Sequence, residues 1–323
     1  MKKAFSVLSR LRKAALATTL LAVFVSVTGC NNNDEATPRA ITDVVIEDNN
    51  FTILEAAVTR AGLGDALRTG ALTVFAPTDA AFRAFGIADA AAVAGVDVNL
   101  LRSILQYHVL NSRVAAADIP ANANNQATQT LGGQSLYITK SGANVFVNGA
   151  QVTQADVQAS NGVIHVINQV LMPPPAAQGG NILGVIASQP NMTLLNAAIA
   201  RFAALPANAA LVAALQNQQF TIFAPNDAAF QAAGLGTAAA INAAPAATLQ
   251  NILLNHVLQG RVFSNALATG NLTAAGMGVL AVTVGANGVT IRSNGLTTPA
   301  NVTRTNLTGT NGVVHVVDRV LLP

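Results

Sequence analysis

Two aspartates and four histidines are the residues of this chain whose types and spacing suit chemistry. Asp79, His108 and His165 recur as Asp227, His256 and His315, at separations of 148, 148 and 150 residues. One carboxylate and two imidazoles per set are the donors of a metal site or of an acid–base pair. A zinc site draws on three or four convergent ligands, usually with recognisable local spacing. Here there is no HExxH, no close pair of histidines, and the single cysteine, Cys30, lies far from all of them. The competing reading is that each imidazole is buried and hydrogen-bonded, since a buried polar group without a partner costs about 1–3 kcal/mol. That structural role is the expectation for all six residues, with no metal and no cofactor. No G-x-S-x-G elbow, P-loop, cysteine nucleophile or dinucleotide fingerprint occurs either. Residues 181–323 hold only two acids, Asp227 and Asp318, which leaves little for a carboxylate-pair hydrolase. An enzyme is not expected.

The elements that must hold these residues are duplicated with them. "TVFAPTDAAF" (73–82) returns as "TIFAPNDAAF" (221–230), "YHVL" (107–110) as "NHVL" (255–258), and "NGVIHVINQVLMP" (161–173) as "NGVVHVVDRVLLP" (311–323). The copies span 40–172 and 181–323, joined at 173–180 by "PPPAAQGG", whose prolines favour a stiff start and whose glycines favour a loose end. Within a copy, the apolar run before Pro77 reads as a buried strand. Thr78 and Asp79 then supply side-chain oxygens that can cap a helix, and Phe82 and Phe85 lie on one face of it. In "NLLRSILQYHVL", Leu101, Ile104, Leu105 and His108 recur at helical spacing, which puts the imidazole on the apolar face. The closing block alternates as a strand after a hairpin-turn signal at Asn161-Gly162. A helical first half and a strand-rich second half make each copy α+β.

These three blocks, in this order and in both copies, resemble the fasciclin domain. The resemblance implies two tandem domains, each a wedge of twisted β-sheets with packed helices, in a protein that adheres to cells, matrix or polymers. The second copy departs at Asn255, where the pattern has tyrosine. By position, the family's cell-binding elements fall on Tyr107-His108 and on Asp156-Val157. The second copy has Asn255-His256 and Asn306-Leu307 there, so an adhesive surface is expected on the first. A passive spacer in an envelope or biofilm is the alternative. A periplasmic ligand-binding protein is a further one.

The N-terminus sets the location. Residues 1–29 carry five basic residues and no acid, and lead through "AALATTLLAVFVSVT" to Gly29-Cys30. Those fifteen residues are short for a bilayer span of about 20 and suit a signal peptide. "VTGC" resembles a bacterial lipobox, which implies a signal peptide at 1–29 and lipidation of Cys30, hence a membrane attachment. Residues 30–39 read as a flexible tether. Asn31, rather than aspartate, follows the cysteine, which implies the outer membrane if the cell is Gram-negative. Without residues 1–29 the formal charge falls from +3 to −2, and no Lys/Arg cluster remains, so a nucleic-acid partner is not expected. Charge also divides the copies, at −4 for 40–172 and +3 for 181–323.

Overall fold

The computed structural model describes residues 39–323. The expected signal peptide, Cys30 and nearly all of the expected tether lie outside the described residues. The first copy holds helices α1 (Ile41–Glu47), α2 (Thr52–Ala61), α3 (Asp79–Phe85) and α4 (Val98–Tyr107). Its strands are β1 (Leu72–Pro77), β2 (Val109–Leu110), β3 (Gln126–Gln129), β4 (Ser135–Ser141), β5 (Asn144–Val147), β6 (Ala150–Ala159) and β7 (Gly162–Ile167). The second copy repeats this with α5 (Ile182–Ala187), α6 (Thr193–Ala203), an additional α7 (Ala209–Asn217), α8 (Asp227–Ala232), a short α9 (Ala238–Ala243) and α10 (Ala246–Asn255). Its strands are β8 (Phe220–Pro225), β9 (Val257–Gln259), β10 (Gly270–Thr273), β11 (Val279–Gly285), β12 (Gly288–Ser293), β13 (Ala300–Gly309) and β14 (Gly312–Val317). Each copy forms one seven-stranded sheet, in the orders β2-β1-β7-β6-β5-β4-β3 and β10-β11-β12-β13-β14-β8-β9. The α+β organisation is as the sequence indicates. Among the described residues no single helix is long and apolar enough to cross a membrane.

The two most repeated blocks lie side by side at the centre. Strand β1 runs parallel to β7 from Leu72↔Gly162 to Pro77↔Ile167, and every residue of β7 is buried. Burial on both faces is why these strands read as continuous apolar runs. Alternate residues feed two cores. Leu72, Val74, Ala76, Ile164 and Val166 pack against the helices, while Phe75 and Ile167 join Tyr107, Leu136 and Val147 beneath the outer strands. The second copy divides in the same way.

Two turn signals do different work from the one expected. The β6–β7 connection is Ser160-Asn161, because Ala159 already pairs with Gly162. Asn161 instead ties three elements together. Its Oδ1 accepts from the Ile41 N–H at 2.9 Å, its Nδ2 donates to the Leu67 carbonyl at 2.8 Å, and its own carbonyl accepts from Leu72 at 3.0 Å. Gly162 is required by contact, since a Cβ there would sit 2.1 Å from the Leu72 carbonyl oxygen. Asn311 and Gly312 repeat both roles against Ile182 and Phe220. The linker glycines also take part in the fold. Residues Ala177–Gly180 form a 3-10 turn, and the Gly180 carbonyl accepts from the Thr310 N–H at 2.8 Å.

Candidate functional site

Asp79 caps a helix, but not the one it begins. Thr78 is the N-cap of α3, accepting from the Ala81 N–H at 3.3 Å. Asp79 points away and accepts from Thr52 Oγ1 at 2.6 Å and from the Ile53 N–H at 2.9 Å, at the start of α2. Helix α2 has no side-chain cap of its own, so the carboxylate satisfies an orphan N–H and meets the positive end of the helix. In the second copy Asn226 caps α8, and Asp227 reaches Thr193 Oγ1 and the Leu194 N–H, both at 2.8 Å. Replacing Asp79 by Ala should lower unfolding stability by about 2 kcal/mol in urea titration, and replacing it by Asn, which keeps an acceptor, by less. An unchanged midpoint for the Ala variant would remove this role.

The four imidazoles bond to backbone at both nitrogens. The Leu171 N–H donates to His108 Nε2 at 3.0 Å, which places the ring proton on Nδ1, where it donates to the Ile104 carbonyl at 2.7 Å. His256 does the same with Leu321 (2.8 Å) and Ile252 (2.7 Å). His165 accepts at Nδ1 from the Asp156 N–H at 3.3 Å and donates from Nε2 to the Val114 carbonyl at 2.8 Å. His315 mirrors it with Asn306 (3.3 Å) and Val262 (2.9 Å). The rings of His165 and His315 also lie against Phe75 and Phe223 at 5.6 and 5.7 Å. Burial pushes the pKa of His108, His256 and His315 down to about 4, so all three are neutral at pH 7. Each ring has one donor and one acceptor and uses both, which leaves no lone pair for a metal or a substrate proton. Among the described residues no three of His, Cys, Asp and Glu converge.

The expected contact residues of the first copy prove largely internal. Tyr107 is fully buried, donating to the Ser135 carbonyl at 2.9 Å and accepting from Asn148 Nδ2 at 2.8 Å. His108 is 2% exposed. Neither can touch a partner of the folded protein, and the Tyr-His pair is therefore a support rather than a contact surface. The reason is the end of α4, which turns both rings inward. Val157 is half-buried against the helix-side core. Asp156 alone of the four reaches the surface with a polar group. It occupies a bulge in β6 at φ 60°, a left-handed conformation that Asp and Asn tolerate best. Its Oδ1 accepts from the Ala116 N–H at 2.9 Å. Asn306 repeats the bulge at φ 63° and accepts from the Ser264 N–H at 2.8 Å.

What differs is the surroundings of the two bulges. Asn306 faces the first copy, where its Nδ2 lies 3.4 Å from Gln169 Oε1, and Gly149 leaves room for it. Beside it Arg261 sits 6% exposed, its guanidinium 3.7 Å from the Tyr137 ring centroid of the first copy. Arg261 also donates to the carbonyls of Gly309, Gly312 and Thr310 at 3.0, 3.0 and 2.8 Å. Its own carbonyl accepts from Asn125 Nδ2 at 2.9 Å. Arg304 lies over Phe85 at 5.9 Å. Among the described residues, the equivalent face of the first copy, with Arg113 and Asp156, has no such cover. The opposite net charges of the copies do not act through ion pairs across this seam. The ion pairs of the described residues, Arg39–Glu47, Arg68–Asp43 and Arg83–Asp79, all lie before the linker. Arg261 escaped the sequence reading, although Arg-Val does recur at 113–114 and 261–262.

Residues 49–173 and 197–323 each match the fasciclin domain, and the chain belongs to the fasciclin-domain family. It is 40% identical over 144 residues to Protein sll1483 of Synechocystis sp., covering 43% of this chain and 77% of that protein. It is 38% identical over 135 residues to transforming growth factor-beta-induced protein ig-h3 of Sus scrofa, covering 42% of this chain but only 19% of that much longer protein. Immunogenic protein MPB70 of Mycobacterium bovis is 38% identical over 139 residues, with 40% and 68% covered. Comparison with the FAS1 domain pair of the insect cell adhesion molecule Fasciclin I gives a TM-score of 0.39 at 24% identity, over 87% of this chain and 96% of that one.

Proposed function

We propose that this is an exported protein, held to the cell envelope by a lipid on Cys30, whose tandem fasciclin domains bind a surface or matrix protein or polysaccharide. In a Gram-negative cell the outer membrane is its place. Membership of a family with mostly extracellular, adhesive members supports the adhesion reading. So does the observation that carries it: the repeated aspartates and histidines of both copies are committed to hydrogen bonds within the fold, which favours a binding role over catalysis. The contact surface is the uncovered bulge face of the first copy around Asp156, because the matching face around Asn306 is occupied by the first copy itself.

Asp156→Asn tests the surface cleanly. Asn keeps the acceptor and tolerates the left-handed turn, as Asn306 does, while the charge is lost. Binding on a glycan and protein array should fall several-fold with the unfolding midpoint unchanged. Equal binding by variant and parent would remove Asp156 from the surface. The anchor is tested separately. Two acyl chains hold a protein stably where one does not, so Cys30→Ser should move the protein from the detergent phase to the aqueous phase. An unchanged partition would sink the lipid anchor.

A further inference from the structure

Equivalent spaces lie between helices and sheet in the two copies, and they differ in size. In the first copy a cavity of about 150 Å³ opens between α1, α2, α4 and β1, walled by Leu54, Val58, Leu63, Leu67, Leu105 and Val109. The corresponding space in the second copy, beside Leu195, Ile199 and Leu215, measures about 40 Å³. Shared hydrogen bonds fix the correspondence. Asp79 and Asp227 cap α2 and α6 at Ile53 and Leu194, which aligns Leu54 with Leu195 and Val58 with Ile199. Asn161 and Asn311 hold the carbonyls of Leu67 and Leu215.

Between these anchors the copies diverge. Fifteen positions separate Thr52 from Leu67, against twenty-two from Thr193 to Leu215. The additional residues build α7, and its Val212, with Phe202 in place of Ala61, lines and narrows the space. The first copy has only the 3-10 turn Ala66–Arg68 there. The second copy thus shows what the site accepts: aliphatic and aromatic carbon. In the first copy that filling is missing, and Ile46, 55% exposed, stands at the open mouth.

The walls are mainly apolar, and the charged side chains that line the cavity, Glu55, Asp65 and Arg68, are half-buried or exposed. His108, at the back, has both nitrogens committed to Ile104 and Leu171. Arg68 at the rim is paired with Asp43 at 2.8 Å. An apolar cavity of roughly this volume stays dry and accepts a molecule the size of benzene. We infer that the first copy binds one neutral apolar group of about six to nine carbons, an aromatic ring or branched alkyl chain, in this cavity. The site is independent of the adhesive surface, which lies at the β6 bulge.

Toluene is a suitable probe. Titrated into the full chain, it should saturably shift the methyl NMR signals of Leu54, Val58, Leu67 and Leu105, and leave those of Leu195, Ile199 and Leu215 in place. Val58→Phe, which grows a half-buried wall residue into the space, should weaken binding at least tenfold. Val58→Ala, which enlarges the cavity, should retain it. If Val58→Phe does not fold, the contrast between the two copies and the Val58→Ala result decide. Equal shifts in both copies, no saturable shift in the first, or full affinity in folded Val58→Phe overturns the proposal.

Discussion

Acidification should destabilise both copies. His256 and His315 lie in the second copy and His108 in the first, each neutral in the fold with a pKa near 4. In the unfolded chain an imidazole titrates near 6.5. Below that value the unfolded state binds protons that the native state refuses, so the stability these groups contribute is complete above about pH 6.5 and is lost as pH falls toward 4. Each of these groups removes about 1.4 kcal/mol per pH unit within this window. Against a domain stability of about 5–15 kcal/mol, that is a large share of the total. Urea titrations followed by circular dichroism from pH 7.5 to 4 should show the unfolding midpoint falling steadily with pH. His256→Gln should flatten that dependence for the second copy. A midpoint for urea unfolding that holds constant from pH 7 to 4.5 would falsify the assignment of neutral, buried imidazoles. EDTA should not move the unfolding midpoint, because no imidazole nitrogen is free to hold a metal.

Arg261→Ala should be far more damaging than Arg113→Ala, although the two residues occupy the same place in the repeat. Both brace the closing hairpin, Arg113 through the Gly162 carbonyl at 3.0 Å and Arg261 through that of Gly312. Arg113 is exposed, however, and its loss is shared with water, which predicts less than about 1 kcal/mol. Arg261 is buried, satisfies three carbonyls and lies under Tyr137, so its removal leaves those acceptors desolvated and opens the seam between the copies. A loss of about 3 kcal/mol from the second copy is expected. Calorimetry should show one unfolding transition becoming two as the seam is lost. Arg261→Lys should recover little, since an ammonium cannot reproduce the planar fork or the stacking. If both Ala variants cost the same, the seam carries none of the stability.

The residues determined by sequence alone are those whose role depends on their near neighbours. The duplication, the β1 and β7 runs, the position of His108 on the apolar face of α4 and the α+β order all follow from spacing, because strand and helix periods are local properties. The structural role read for the histidines also rests on local context, an imidazole set among apolar residues. Tertiary structure decided the rest. Asp79 sits beside a helix start 26 residues earlier in the chain, and no local pattern distinguishes that from capping its own helix. Asn161 and Gly162 look like a hairpin turn because the same small, polar pair also suits a side-chain clamp next to a close backbone approach. Tyr107 and Asp156 are both plausible contact residues by type, and only the packing at the end of α4 and the bulge in β6 tells the buried one from the accessible one. The seam was least legible of all. Two faces with matching sequences meet different surroundings, since the first copy covers one and nothing in the described residues covers the other, and that difference belongs to the arrangement of the domains rather than to either sequence.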